Sequence, residues 1–236
     1  MPKQYKGNGW QIFFHSYMVG DVIMEEKTIW DQFLDALYPP DTVCFACERE
    51  KEVNGVGLCA RCAEEIRFAG VLTPKPGING LYAGLLYDEV LYGAVHRFKY
   101  SDAMHLARNF AACMRLPEDW KFDVIVPVPL HERRERQRGY NQSLLIAKEL
   151  SKRYGVRVEP HLLRRIVDTE PQQELGKEER EKNVLGAFAA SPMATGKAIL
   201  LVDDVVTTGS TLAACAAALK AVRPARVYAA CACAAL

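Results

Sequence analysis

The sequence predicts an α/β protein, a mostly parallel sheet flanked by helices and preceded by a small module built on four cysteines. Three observations predict it. The apolar run Ala198 to Val202 has the length and composition of a strand buried on both faces, the kind a parallel sheet uses. Behind it, Leu212, Ala216, Leu219 and Val222 recur at helical spacing. Far upstream, Cys44-x-x-Cys47 and Cys59-x-x-Cys62 form two knuckles separated by a short loop.

The chain has 236 residues, half of them hydrophobic and a quarter charged, enough for one large or two small domains with a sizeable core. With 30 basic and 29 acidic residues the formal net charge is +1, so binding to nucleic acid would have to come from a local patch. No apolar run approaches the roughly 20 residues of a membrane span, and the N-terminus lacks the order of a signal peptide. The expectation is a cytoplasmic protein without membrane association. In that reducing compartment clustered cysteines point to metal, whereas Cys113, Cys215, Cys231 and Cys233, in apolar surroundings, read as small core residues.

Residues 1–27 carry no usable period and are an extension without an assigned role. Over 28–38, Ile29, Trp30, Phe33, Leu34 and Leu37 predict a helix that stops before Pro39 and docks the next module. In that module Cys44, Cys47, Cys59 and Cys62 match a tetrahedral four-thiolate zinc site, with Gly55 and Gly57 in the turn between the knuckles. Four sulfurs leave zinc no open position, so the site is structural. The alternative is a pair of disulfides. Helix and ribbon together occupy 28–72, and Val71 to Gly80, rich in proline and glycine, links them to a main domain over 81–236.

The main domain should begin with a strand at Leu81–Tyr87 and a helix from Asp88 that buries Leu91, Ala94, Val95 and Phe98. Lys99, near its end, either reaches a phosphate or is a solvated lysine; His96 and His105 are structural. A strand from Asp123 runs into Pro127-Val128-Pro129. The stretch His131 to Arg138, expected as a loop, carries Arg133, Arg134, Arg136 and Arg138, suited to pyrophosphate or a nucleic-acid backbone, or simply facing water. No aromatic-and-basic platform that would stack a single strand is visible. Asn141 or Ser143 caps a helix bearing Leu144, Ala147, Leu150 and Tyr154, and Val156–Glu159 is a short strand. The period lapses from Arg164 to about Lys182 until Gly186-Ala187-Phe188 returns the chain to the sheet. A last strand spans Arg226–Cys231.

The chemistry concentrates behind the apolar run, where Asp203 and Asp204 precede Thr207, Thr208, Gly209, Ser210 and Thr211. The first amides of a helix are unpaired and carry the positive end of its dipole, so a phosphate sits well there. Gly209 lets the backbone approach, the hydroxyls donate, and the carboxylates accept from sugar hydroxyls. One loop can thus hold a phosphorylated ribose at both ends. An ordinary turn with Ser210 as N-cap is the alternative, but two adjacent acids at a buried strand end are costly without a ligand or cation.

The stretch Ile199 to Thr211 closely resembles the phosphoribosyl-pyrophosphate (PRPP) loop of type I phosphoribosyltransferases. Val126 to Gln142, with VPVPLH and RGYNQ, and Arg164 to Phe188, with its spaced Arg, Thr, Gln, Arg, Asn and GAF, narrow the resemblance to the ComF competence-protein family. With the cysteine cluster it covers roughly residues 29–236. The resemblance implies the type I phosphoribosyltransferase fold, PRPP with Mg2+ at Asp203, Asp204 and Thr207 to Thr211, and pyrophosphate near Val128, Pro129, Leu130, His131 and Lys99. It puts Arg164, Thr169, Gln172, Gln173, Arg180 and Asn183 on a flexible loop that closes over PRPP; Arg164, Thr169 and Gln173 are the catalytic candidates. The implied function is handling of incoming single-stranded DNA in natural transformation. The arginine stretch and the ribbon would contact DNA, a competence helicase or a recombination mediator. The alternatives are an active transferase moving phosphoribosyl to an unidentified nitrogen acceptor, and a PRPP-binding regulator. Related transferases often pair, which makes a homodimer the expected assembly.

Overall fold

The computed structural model describes residues 42–167 and 186–235. The extension over 1–27, the docking helix over 28–38, and Thr169, Gln172, Gln173, Arg180 and Asn183 lie outside the described residues. The main sheet has five strands in the order β1 (Phe68–Leu72), β2 (Gly80–Leu86), β7 (Arg226–Ala234), β6 (Ala198–Val206) and β3 (Val124–Pro127). Only β1 runs antiparallel to its neighbour. Ile199 to Val202 are fully buried, as a central strand covered on both faces requires.

Alternate residues of each strand enter two cores, one on each face. Leu200, Val202, Ile125 and Tyr228 pack with α2 (Glu89–Tyr100), α3 (Leu106–Ala112) and α5 (Gln142–Tyr154). Ile199, Leu201, Val124, Val126 and Cys231 pack with α6 (Ser210–Lys220). Helix α2 buries Leu91, Ala94, Val95 and Phe98, the four residues its period selects. The cysteine module, which includes α1 (Ala60–Glu65), joins the first core. Phe45 meets Phe110 edge-on at 5.6 Å, Arg97 pairs with Glu48 at 3.0 Å, and Asn109 donates to the Val56 carbonyl at 3.0 Å. Cys113, Cys215, Cys231 and Cys233 are buried and free, as their apolar surroundings suggest.

Several expectations are corrected. Strand β6 does not end at the acids. Asp203, Val205 and Val206 stay paired with Cys231, Cys233 and Ala234 of β7. Val71 and Leu72 complete β1 and pair with Tyr82 and Leu81, so the proline-rich connection begins only after them. Val156–Glu159 makes a single bridge, Val158 to Ile125, instead of a strand. Arg164 falls in β4 (Leu163–Arg165), which pairs with β5 (Phe188–Ala190) in a separate two-stranded sheet, so the Gly-Ala-Phe segment returns to that ribbon and not to the main sheet. On α5 the buried face is Ser143, Ile146, Ala147 and Leu150, with Leu144 only half-buried.

His131 to Arg138 is the sharpest correction. The stretch is a helix, α4 (Glu132–Arg138), with no buried residue. Its stability is local. The His131 ring accepts from the Arg133 amide, Glu132 and Arg136 pair at 3.1 Å across one turn, and Gly139 closes the helix at φ 78.

Candidate functional site

The geometry of the site follows from strand register. Strand β3 pairs with β6 from Val124↔Ile199 to Pro127↔Val202 and stops, whereas β6 continues through Val206 against β7 alone. Asp203 and Asp204 therefore lie past the end of β3, at the carboxyl edge of the sheet, the side on which open α/β sheets bind ligands. The chain leaving β3 passes beside them. The Val128 amide is committed to the Val202 carbonyl at 2.8 Å, and Asn141, the N-cap of α5, donates to the Val128 carbonyl at 3.1 Å. Pro129 has no amide, so Leu130 and His131, both half-buried, hold the amides this turn can offer.

The two acids are held differently. Asp203 Oδ1 accepts from Ser143 Oγ at 2.9 Å and from the Asp204 amide at 2.9 Å. Burial, then the neighbouring Asp204 charge, pushes the Asp203 carboxyl up to about 7 against the lowering effect of these hydrogen bonds and of Lys99. Asp204 Oδ2 lies 3.1 Å from Lys99 Nζ, with side chains only 15% and 23% exposed. Burial works to lower the Lys99 ammonium, but Asp204 and Asp203 outweigh it and hold it above its ordinary value. Lys99 is thus neither solvated nor alone: it neutralises one member of the acid pair.

Behind the acids, Thr207 and Thr208 are exposed, and Gly209 sits at the N-cap of α6 with φ 79. Ser210 is the first helical residue and not the cap; its amide donates to Thr208 Oγ1 at 3.3 Å, and the two hydroxyls lie 2.6 Å apart. Thr211 is half-buried in the first turn. A Cβ at Gly209 would come within 2.5 Å of Lys75 Cε, so the Lys75 stem lies directly over this turn. Ser143 and Lys75 are the site neighbours that sequence reasoning missed as ligands. Ser143 was visible only as a possible helix cap, and Lys75 as part of a linker. Arg164 is exposed on β4 opposite Ala189; among the described residues it makes no contact with the acids. Arg133, Arg134, Arg136 and Arg138 share α4, which follows the β3 turn.

In the cysteine module, Cys47 and Cys59 Sγ are 3.9 Å apart, and the four sulfurs of Cys44, Cys47, Cys59 and Cys62 lie within 4.8 Å of one another. A tetrahedron with metal–sulfur bonds of about 2.3 Å has edges of about 3.8 Å. The cluster fits a metal ion and is too wide for a disulfide, whose sulfurs are about 2.05 Å apart. The Cys62 amide hydrogen-bonds the Cys59 sulfur and lowers that thiol, whereas burial raises the Cys62 thiol. No helix among the described residues is long and apolar enough to cross a membrane.

Comparison with known proteins follows the same lines. Residues 141–236 match the model of the phosphoribosyl transferase domain, which spans α5, the acid pair and the hydroxyl turn. Competence protein F of Haemophilus influenzae is 27% identical over 191 residues, covering 72% of this chain and 80% of that protein. DNA utilization protein YhgH of Salmonella typhimurium is 28% identical over 203 residues, covering 72% of this chain and 87% of its own. Competence protein ComFC of Bacillus subtilis is 28% identical over 196 residues, 75% of this chain and 77% of that protein. Over about three quarters of its length the chain is thus similar to ComF-type competence and DNA-utilization proteins, and its residues 141–236 match a phosphoribosyl transferase domain.

Proposed function

We propose that this protein binds PRPP and acts in the cytoplasmic handling of incoming single-stranded DNA during natural competence. The observation that carries the binding half is the acid pair standing beyond the end of β3, one turn before the N-terminus of α6. In this reading Asp203 and Asp204 take the ribose hydroxyls, and the turn from Thr207 to Thr211 takes the 5'-phosphate. Leu130 and His131 offer amides to the pyrophosphate beside Lys99, and Mg2+ accompanies the polyphosphate as a hard cation. The competence and DNA-utilization names of the relatives support the second half. A helicase or a recombination mediator is the partner class that fits it. The four cysteines hold structural zinc; their sulfurs leave no open position for chemistry.

Calorimetry tests the binding half. The wild-type chain with Mg2+ should release heat on PRPP addition, and D203N/D204N should abolish it. In cells, the same double variant should lower transformation frequency. A wild type silent to PRPP, with D203N/D204N cells transforming normally, would overturn the reading. Pyrophosphate release on supplying a nitrogen acceptor would instead mark the protein as a transferase.

A further inference from the structure

We propose that the exposed face of α2, completed by Arg138 of α4, is a stacking track for single-stranded DNA. The inference rests on the DNA-handling reading above and assigns it a surface. Tyr92, His96 and Tyr100 recur every fourth residue along α2 and all face solvent, the two tyrosines being 59% and 61% exposed. They owe nothing to the core, because α2 buries its opposite face. The rings nonetheless form a continuous row: Tyr87 to Tyr92 at 6.4 Å, Tyr92 to His96 at 6.1 Å and 25° from parallel, His96 to Tyr100 at 5.0 Å. Arg138 ends the row, its guanidinium 5.1 Å above the Tyr100 ring and 3.4 Å from the Tyr100 hydroxyl.

Such a row of planar faces, spaced about 6 Å apart by the helical rise, suits bases that are not already stacked in a duplex. The charge around it suits a phosphate backbone. Arg138 donates to Gln142 and Tyr100 and bonds no carboxylate among the described residues. The adjoining α4 adds Arg133, Arg134 and Arg136 against Glu132 and Glu135, with Arg136 paired to Glu132 at 3.1 Å. Glu89 and Asp102 flank the two ends of the row. The aromatic spacing is in the sequence, but its basic end is not legible there, because Tyr100 and Arg138 are 38 positions apart.

Fluorescence anisotropy of the full chain with a labelled oligothymidylate reads the effect directly. Y92A/Y100A should weaken binding by about tenfold or more, given the cost of removing base-stacking rings. Y92F/Y100F should bind within about twofold of wild type, and the heat of PRPP binding should be unchanged in both variants. With an iodouracil-substituted strand, photo-crosslinks should map to Tyr92 or Tyr100. Wild-type affinity in Y92A/Y100A, with crosslinks elsewhere, would overturn the track and leave the DNA-handling reading standing. A wild type that binds no single strand would overturn direct DNA contact as well.

Discussion

The cysteine module and the acidic edge of β6 are both clusters of like ligands, but one is closed and the other open. The four sulfurs converge within 4.8 Å of one another and can be satisfied by one ion. The two carboxylates diverge: Asp203 reaches Ser143 and Asp204 reaches Lys99, and the Asp203 carboxyl is raised to about 7 because nothing in the fold fully compensates its burial. A closed cluster stabilises the fold it sits in. An open one taxes the fold and returns the cost only when something binds.

The largest expected effect tests the closed side. Chelation, or Cys59→Ser, should unfold the module, since binding to a structural four-ligand site is worth on the order of 10 kcal/mol in isolated fingers. Loss of bound metal measured by mass spectrometry should accompany a drop in Tm, because Phe45 and Phe110 lose their contact. Next comes Gly209→Ala, which must adopt φ 79 and displace Lys75. It should cost about 1–3 kcal/mol in denaturant unfolding and remove PRPP binding by calorimetry.

Asp203→Asn should sharpen the comparison by moving stability and binding in opposite directions. A carboxyl raised to about 7 in the fold favours folding when protonated. That contribution is complete below its ordinary pKa near 3.8 and is lost as pH rises through 7. The variant should therefore melt higher than wild type at pH 8, with the gain shrinking toward pH 5, while PRPP heat disappears. An equal gain at both pH values would argue that Asp203 is not uncompensated. The smallest effect is Ser143→Ala, which removes one hydrogen bond worth about 1 kcal/mol and should raise the Asp203 carboxyl further, as NMR titration would show.

The same contrast explains what was legible in the sequence. The cysteine spacing announces its own geometry, because each knuckle folds locally. The buried set of α2 was readable from its period, and the strand, acid pair and hydroxyl turn from their order along the chain. The partners of the acids were not, since Ser143 lies 60 positions from Asp203, and a seryl hydroxyl in a first turn looks like a cap. Helix α4 was missed for a different reason. It buries nothing, so no apolar period betrays it, and its support comes from a charge pair, an imidazole cap and a terminal glycine. The end of β6 was misjudged because aspartate is a poor strand former; pairing with β7 overrides that preference.

The unequal lengths of β3 and β6 have an evolutionary consequence. The acids emerge from the sheet because one backbone ladder stops four residues before its neighbour, a property no single side chain controls. If this edge seats PRPP as proposed, a scaffold of this kind can lose the groups that perform a reaction and keep the seat, so recognition and turnover are free to part company.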